Sequence, residues 1–115
     1  MIMDTVALSP ATRELKAKLD EASRFLKKLS NPDRLLIACT LVEGERSVRE
    51  LEDALGIRQP GLSQQIAELR EAGLIVGRKE GKQVFYRLAD PRVETFTLTL
   101  HGLFCKEQVA PGATS

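Results

Sequence analysis

Between Ser47 and Gly73 the chain reads SVRELEDALGIRQPGLSQQIAELREAG, and this stretch leaves few folds open. Its start and stop signals are too closely spaced for one long helix. Ser47 and Glu50 stand three residues apart, the spacing of a capping box that satisfies two otherwise orphaned N–H groups. Leu51 and Leu55 follow on one face, and Gly56 offers a stop. Pro60 fits the first turn of a second helix, where a missing N–H costs nothing. Leu62, Ile66 and Leu69 give that helix one apolar face before Gly73 ends it. Two short helices across a Gly-containing turn outline a helix-turn-helix.

The flanking segments narrow the choice. LIVGRKEGKQVFYRL is rich in β-branched and aromatic residues on both sides of Glu80–Gly81, which predicts a β-hairpin with a charged tip. A helix restarts at Asp90 and Pro91, with Val93, Phe96, Leu100, Leu103 and Phe104 as its apolar side. Upstream, Ser9 and Pro10 open a first helix whose Leu15, Leu19, Ala22, Phe25, Leu26 and Leu29 form one stripe. Asn31, Pro32 and Asp33 open a second, which runs through LLIACTLV and stops near Gly44. The expected fold is mainly α with a small β-hairpin, a winged helix-turn-helix of order α-α-α-α-β-β-α. Residues 9–108 form the DNA-binding and dimerisation domain, 1–8 a flexible N-terminus and 109–115 a flexible tail. A chain of 115 residues buries a limited core, so self-association is a plausible source of further burial.

In this fold the second helix of the pair can enter the major groove while the hairpin tip reaches the backbone or minor groove. With Leu62, Ile66 and Leu69 inward, Gln59, Ser63 and Gln64 face outward and Gln65 flanks them. Gln can pair with adenine and Ser with bases or phosphates. Lys79 and Lys82 flank the hairpin turn, where cations can neutralise phosphates. Net charge adds little: it is +1 overall. The segment Arg58–Arg87 has six basic and three acidic residues, but so does Thr12–Leu29, and such blocks usually mark solvated faces. The specific signal is the ordered combination of capped helix, tight turn, Gln/Ser-rich helix and basic-tipped hairpin.

The longest apolar runs fall far short of a membrane span, and MIMDTVALSPATREL lacks the basic start and apolar core of an export signal. The expectation is a cytoplasmic protein with no membrane partner, in which two cysteines form no structural disulfide framework.

SNPDRLLIACTLVEGERSVRELEDALGIRQPGLSQQIAELREAGLIVGRKEGKQVFYRL resembles the ArsR/SmtB family of dimeric bacterial repressors. NPDRLLI, QPGLSQQIAELREAGLI and KEGKQVFYRL carry the resemblance most specifically. It implies a homodimer built on the first and last helices, two recognition helices reading palindromic operator DNA, and a chemical signal that releases the DNA. Many members have Ser or Asn where this chain has Arg58. Arg is a poor N-cap, so either the helix start is weaker or Arg58 reaches a phosphate.

Three residues bear on the signal. His101 is the single histidine, and the third helix has no cysteine. The ligand sets that many members use for metals are therefore absent, and neither a metal nor a cofactor is expected. Cys39, in the second helix, shares a face with Leu35 and Val42, whereas Cys105 stands near the end of the last helix, one turn beyond His101. Residue type alone leaves both open between apolar filler and sensor, since free cysteine packs as a small hydrophobe. CTLVEGERSVRELE and LHGLFCKEQ are similar to the two cysteine segments of the sulfide- and persulfide-responsive branch of the family, the SqrR/BigR type. That resemblance implies that Cys39 and Cys105 act as a redox-sensing pair. A thiolate attacks a reactive sulfur species, a disulfide or polysulfide bridge closes between the helices, and DNA is released. Lys106, and His101 if protonated, would favour the thiolate, whereas the negative end of the last helix would oppose it. The alternatives are the same fold sensing peroxide, haem or a soft metal through these thiols, or a thiol-dependent enzyme. An enzyme would need a nucleophile, base and orienting group, and one histidine without a phosphate-binding loop argues against it.

Overall fold

The computed structural model of the protein describes residues 7–105. The expected tail 109–115, residues 106–108 of the expected domain, including Lys106, and residues 1–6 of the expected N-terminal arm lie outside the described residues. Six helices and three strands follow in order: α1 (Pro10–Ala17), α2 (Leu19–Leu29), α3 (Pro32–Val42), β1 (Arg46–Ser47), α4 (Val48–Leu55), α5 (Gly61–Glu71), β2 (Ile75–Glu80), β3 (Gln83–Leu88) and α6 (Pro91–Phe104). This is the winged helix-turn-helix, with α4 and α5 as the helix pair and β2–β3 as the wing.

The caps form where the sequence offers them. Ser9 accepts from the N–H of Thr12, Asn31 from Arg34 and Asp90 from Arg92. Ser47 and Glu50 complete the capping box of α4, with bonds of 3.0 and 2.8 Å, and Gly56 ends that helix in the left-handed conformation.

Two expectations are corrected. The first helix is two helices, broken at Lys18, whose N–H bonds back only three residues to the carbonyl of Leu15. Among the described residues every position of α1 is exposed, so none of them buries a face that would hold the turn at its usual pitch. Along the apolar stripe, Leu29 is buried and Phe25 half-buried, whereas Leu15, Leu19 and Leu26 are exposed. The second correction adds a strand. Arg46 and Ser47 pair antiparallel with Tyr86 and Phe85 of β3, which makes the sheet three-stranded in the order β1-β3-β2. Two residues are too few to show a period of two.

The core joins Ile37 and Leu41 of α3, Leu51 of α4, Leu62, Ile66 and Leu69 of α5, Ile75 and Tyr86 of the wing, and Val93 of α6. At the wing root, Gly77 stands opposite Tyr86. A Cβ there would lie 2.7 Å from the tyrosine ring, so the ring packs where only glycine fits. The pair α2–α6 is fastened by Phe25 and Phe96, edge to face at 5.5 Å, and by Arg92, which covers the Phe25 ring and bonds Glu21 at 2.9 Å.

Candidate nucleic-acid interface and thiol groove

The buried row Leu62, Ile66 and Leu69 fixes the roll of α5 and leaves Arg58, Gln59, Ser63 and Gln64 exposed at its leading end. Pro60 stands at the cap position, one place earlier than expected, and offers no side-chain acceptor. Gln59 supplies one instead: its Oε1 accepts from the Ser63 N–H at 3.0 Å and the Ser63 hydroxyl at 2.7 Å. The Arg58 carbonyl accepts the Leu62 N–H at 3.0 Å, so Arg58 helps to close the helix start through its backbone alone, and its side chain is left at the surface. Gln64 makes no side-chain hydrogen bond among the described residues.

Gln65 is placed differently from its neighbours. It is half-buried, and its Oε1 accepts from Arg34 Nη1 of α3 at 2.8 Å. Arg34 Nε donates at the same time to the carbonyl of Lys28 at 2.6 Å. One guanidinium thus joins the end of α2, the start of α3 and the middle of α5.

In the wing, Lys79 and Lys82 are exposed and, among the described residues, neither is in an ion pair. Their neighbour Arg78 differs. It grips both carboxylate oxygens of Glu45 at 2.9 and 2.8 Å, bonds Glu80 at 2.7 Å, and lies over the Phe85 ring at 4.8 Å. The bonds from Arg78 and its charge hold the Glu45 carboxyl below its ordinary value. Lys82 also lines one groove with Arg49, Glu52 and Asp53 of α4. Sequence reasoning missed Arg34, Glu45 and Arg49. Only Arg34 had a signal, as the last residue of the NPDR start.

The two cysteines meet a common groove of about 570 Å³ between α3 and α6. Leu35, Cys39 and Val42 line one side, and Leu98, His101, Phe104 and Cys105 the other. Cys39 is exposed, which weighs against apolar filler, one of the two readings that residue type left open for it. Cys105 is half-exposed and stands at the cap position just past α6, with its N–H bonded to the His101 carbonyl at 2.8 Å. Both thiols are free. The Cys39 thiol is pushed above its ordinary pKa by partial burial first and by the negative charge of Cys105 second. Among the described residues no group of three or more His, Cys, Asp or Glu side chains is placed to hold a metal ion. No described helix is long and apolar enough to cross a membrane.

The comparisons agree with this geometry. Residues 31–76 match the family model described as bacterial regulatory protein, arsR family. The chain is 46% identical over 98 residues to the biofilm growth-associated repressor of Xylella fastidiosa, covering 84% of this chain and 86% of that protein. The crystal structure of the transcriptional repressor BigR from Xylella fastidiosa superposes with a TM-score of 0.80 at 45% identity, over 82% of this chain and 96% of that one. Reduced HlyU from Vibrio cholerae superposes with a TM-score of 0.75 at 39% identity, over 82% and 99%.

Proposed function

This chain is a transcriptional repressor of the arsR family, and from that premise we propose that a dithiol switch, Cys39 and Cys105, controls its hold on operator DNA. The observation that carries the proposal is the shared groove: both sulfurs line it, and the charge of one bears on the other. A reactive sulfur species of the persulfide class, R–S–SH, is the inducer. A cysteine thiolate attacks the outer sulfur, which leaves cysteine persulfide and releases R–SH. The other thiolate then attacks the cysteine sulfur of that persulfide. The product is a Cys39–Cys105 disulfide, and H₂S leaves. Two thiols are oxidised and the R–S–SH bond is reduced.

The DNA surface is formed by Ser63 and Gln64 at the base edges, with Arg58, Gln59, Lys79 and Lys82 towards phosphates. The protein acts as a homodimer on a palindromic site. Exposed Leu15, Leu19 and Leu26 of α1 and α2 and Leu98, Leu103 and Phe104 of α6 support this, since apolar surface on these helices has no partner among the described residues. A bridge between α3 and α6 ties the dimer face to the core beside the recognition helix. Half-sites ~34–36 Å apart tolerate little change in the separation of two recognition helices, so bridging releases DNA.

The test is binding to DNA from upstream of the protein's own coding sequence, with reduced protein and with protein treated with glutathione persulfide, each followed by mass analysis. Loss of binding with a Cys39–Cys105 bridge supports the reading. Unchanged binding, or loss of binding with the two cysteines unlinked, overturns it.

A further inference from the structure

α3, the helix that carries Cys39, is fastened near each end to one of the two elements that face DNA. Near its start, Arg34 donates to Gln65 of α5 at 2.8 Å. Just past its end, Glu45 receives two hydrogen bonds from Arg78 of β2. Cys39 lies between these links. We propose that Arg34 and Glu45 are positioning residues, which set the recognition helix and the wing against α3 and pass the state of Cys39 to both. The inference rests on the thiol-switch reading above and extends it to the route from sulfur to DNA.

The links differ in kind: Arg78 meets the Glu45 carboxylate through two bonds, a planar fork that resists sliding where a single contact would pivot, whereas Arg34 meets the Gln65 amide oxygen through one. Arg78 is held further by Glu80 and by the Phe85 ring, so the wing strand cannot easily swing about the pair. Arg34 is fixed by a second bond to the Lys28 carbonyl. A bridge that draws the Cys39 segment towards α6 therefore moves the anchor points of α5 and the wing together. Gln65 belongs to this linkage: its carbonyl oxygen is occupied by Arg34.

Glu45→Gln is the direct test, because an amide keeps the shape but cannot accept from both guanidinium nitrogens equally. Arg34→Lys is the second, keeping charge without the fork. Three quantities are measured for wild type and both variants: operator affinity of the reduced protein, the fold-weakening caused by glutathione persulfide, and amide hydrogen exchange across residues 78–84. In Glu45→Gln, reduced affinity stays within about twofold, wing exchange rises, and the persulfide-induced weakening shrinks about threefold or more. Arg34→Lys shrinks the response likewise, with faster exchange in α5. A wild-type response that both variants keep in full overturns the positioning role even if exchange rises. Unchanged wing exchange in Glu45→Gln overturns it independently of any redox chemistry. A wild type that ignores persulfide overturns the switch itself and with it this transmission, a result distinguishable from the other two.

Discussion

Cys39 and Cys105 stand on opposite sides of one groove, and the negative charge of Cys105 helps to raise the pKa of Cys39. A raised thiol pKa leaves less of Cys39 as thiolate, the reactive form, at neutral pH.

The raised pKa has a pH signature. Alkylation of Cys39 by iodoacetamide should rise about tenfold per pH unit through neutrality and keep rising above ~8.5, the ordinary thiol pKa. Replacing Cys105 by Ser removes the opposing charge, so the curve should move to lower pH. Peptide-resolved rates measure both; a plateau below pH 8 in the wild type contradicts the assignment.

Gln64 and Gln65 are adjacent but should behave differently. Gln64→Ala should relax operator sequence preference at one position, a loss of ~1–3 kcal/mol if it reads a base. Gln65→Ala should leave the preference intact and lower stability instead, because its oxygen serves Arg34. Binding to a panel of single-base operator variants separates the two.

Lys82→Ala should reduce the slope of log affinity against log salt by about 0.9 for each phosphate that the lysine neutralises, and Lys79→Ala likewise. Sequence preference should not change. An unaltered slope removes these lysines from the interface.

Much of this arrangement was legible in the residues, for physical reasons. Capping boxes, proline starts and glycine stops act locally, so α3, α4, α6 and the wing follow from their own short segments. The break at Lys18, the exposure of Leu15 and Leu26, and strand β1 were not legible, because each depends on what lies against the segment. At the site, the roll of α5 followed from Leu62, Ile66 and Leu69, which exposed Ser63 and Gln64. The commitment of Gln65 to Arg34 and of Arg78 to Glu45 did not follow, since both join residues more than thirty positions apart.

Gly77→Ala should destabilise the fold by ~1–3 kcal/mol, because the added methyl meets the Tyr86 ring and one of them must move. Denaturant unfolding measures it. Stability equal to wild type would show that the ring yields without cost.

The proposed switch needs both sulfurs. Operator affinity should be measured for wild type, Cys39→Ser and Cys105→Ser, before and after glutathione persulfide. All three should bind when reduced, and only the wild type should let go after treatment. Release of DNA by either single-cysteine variant to the wild-type extent would contradict the switch.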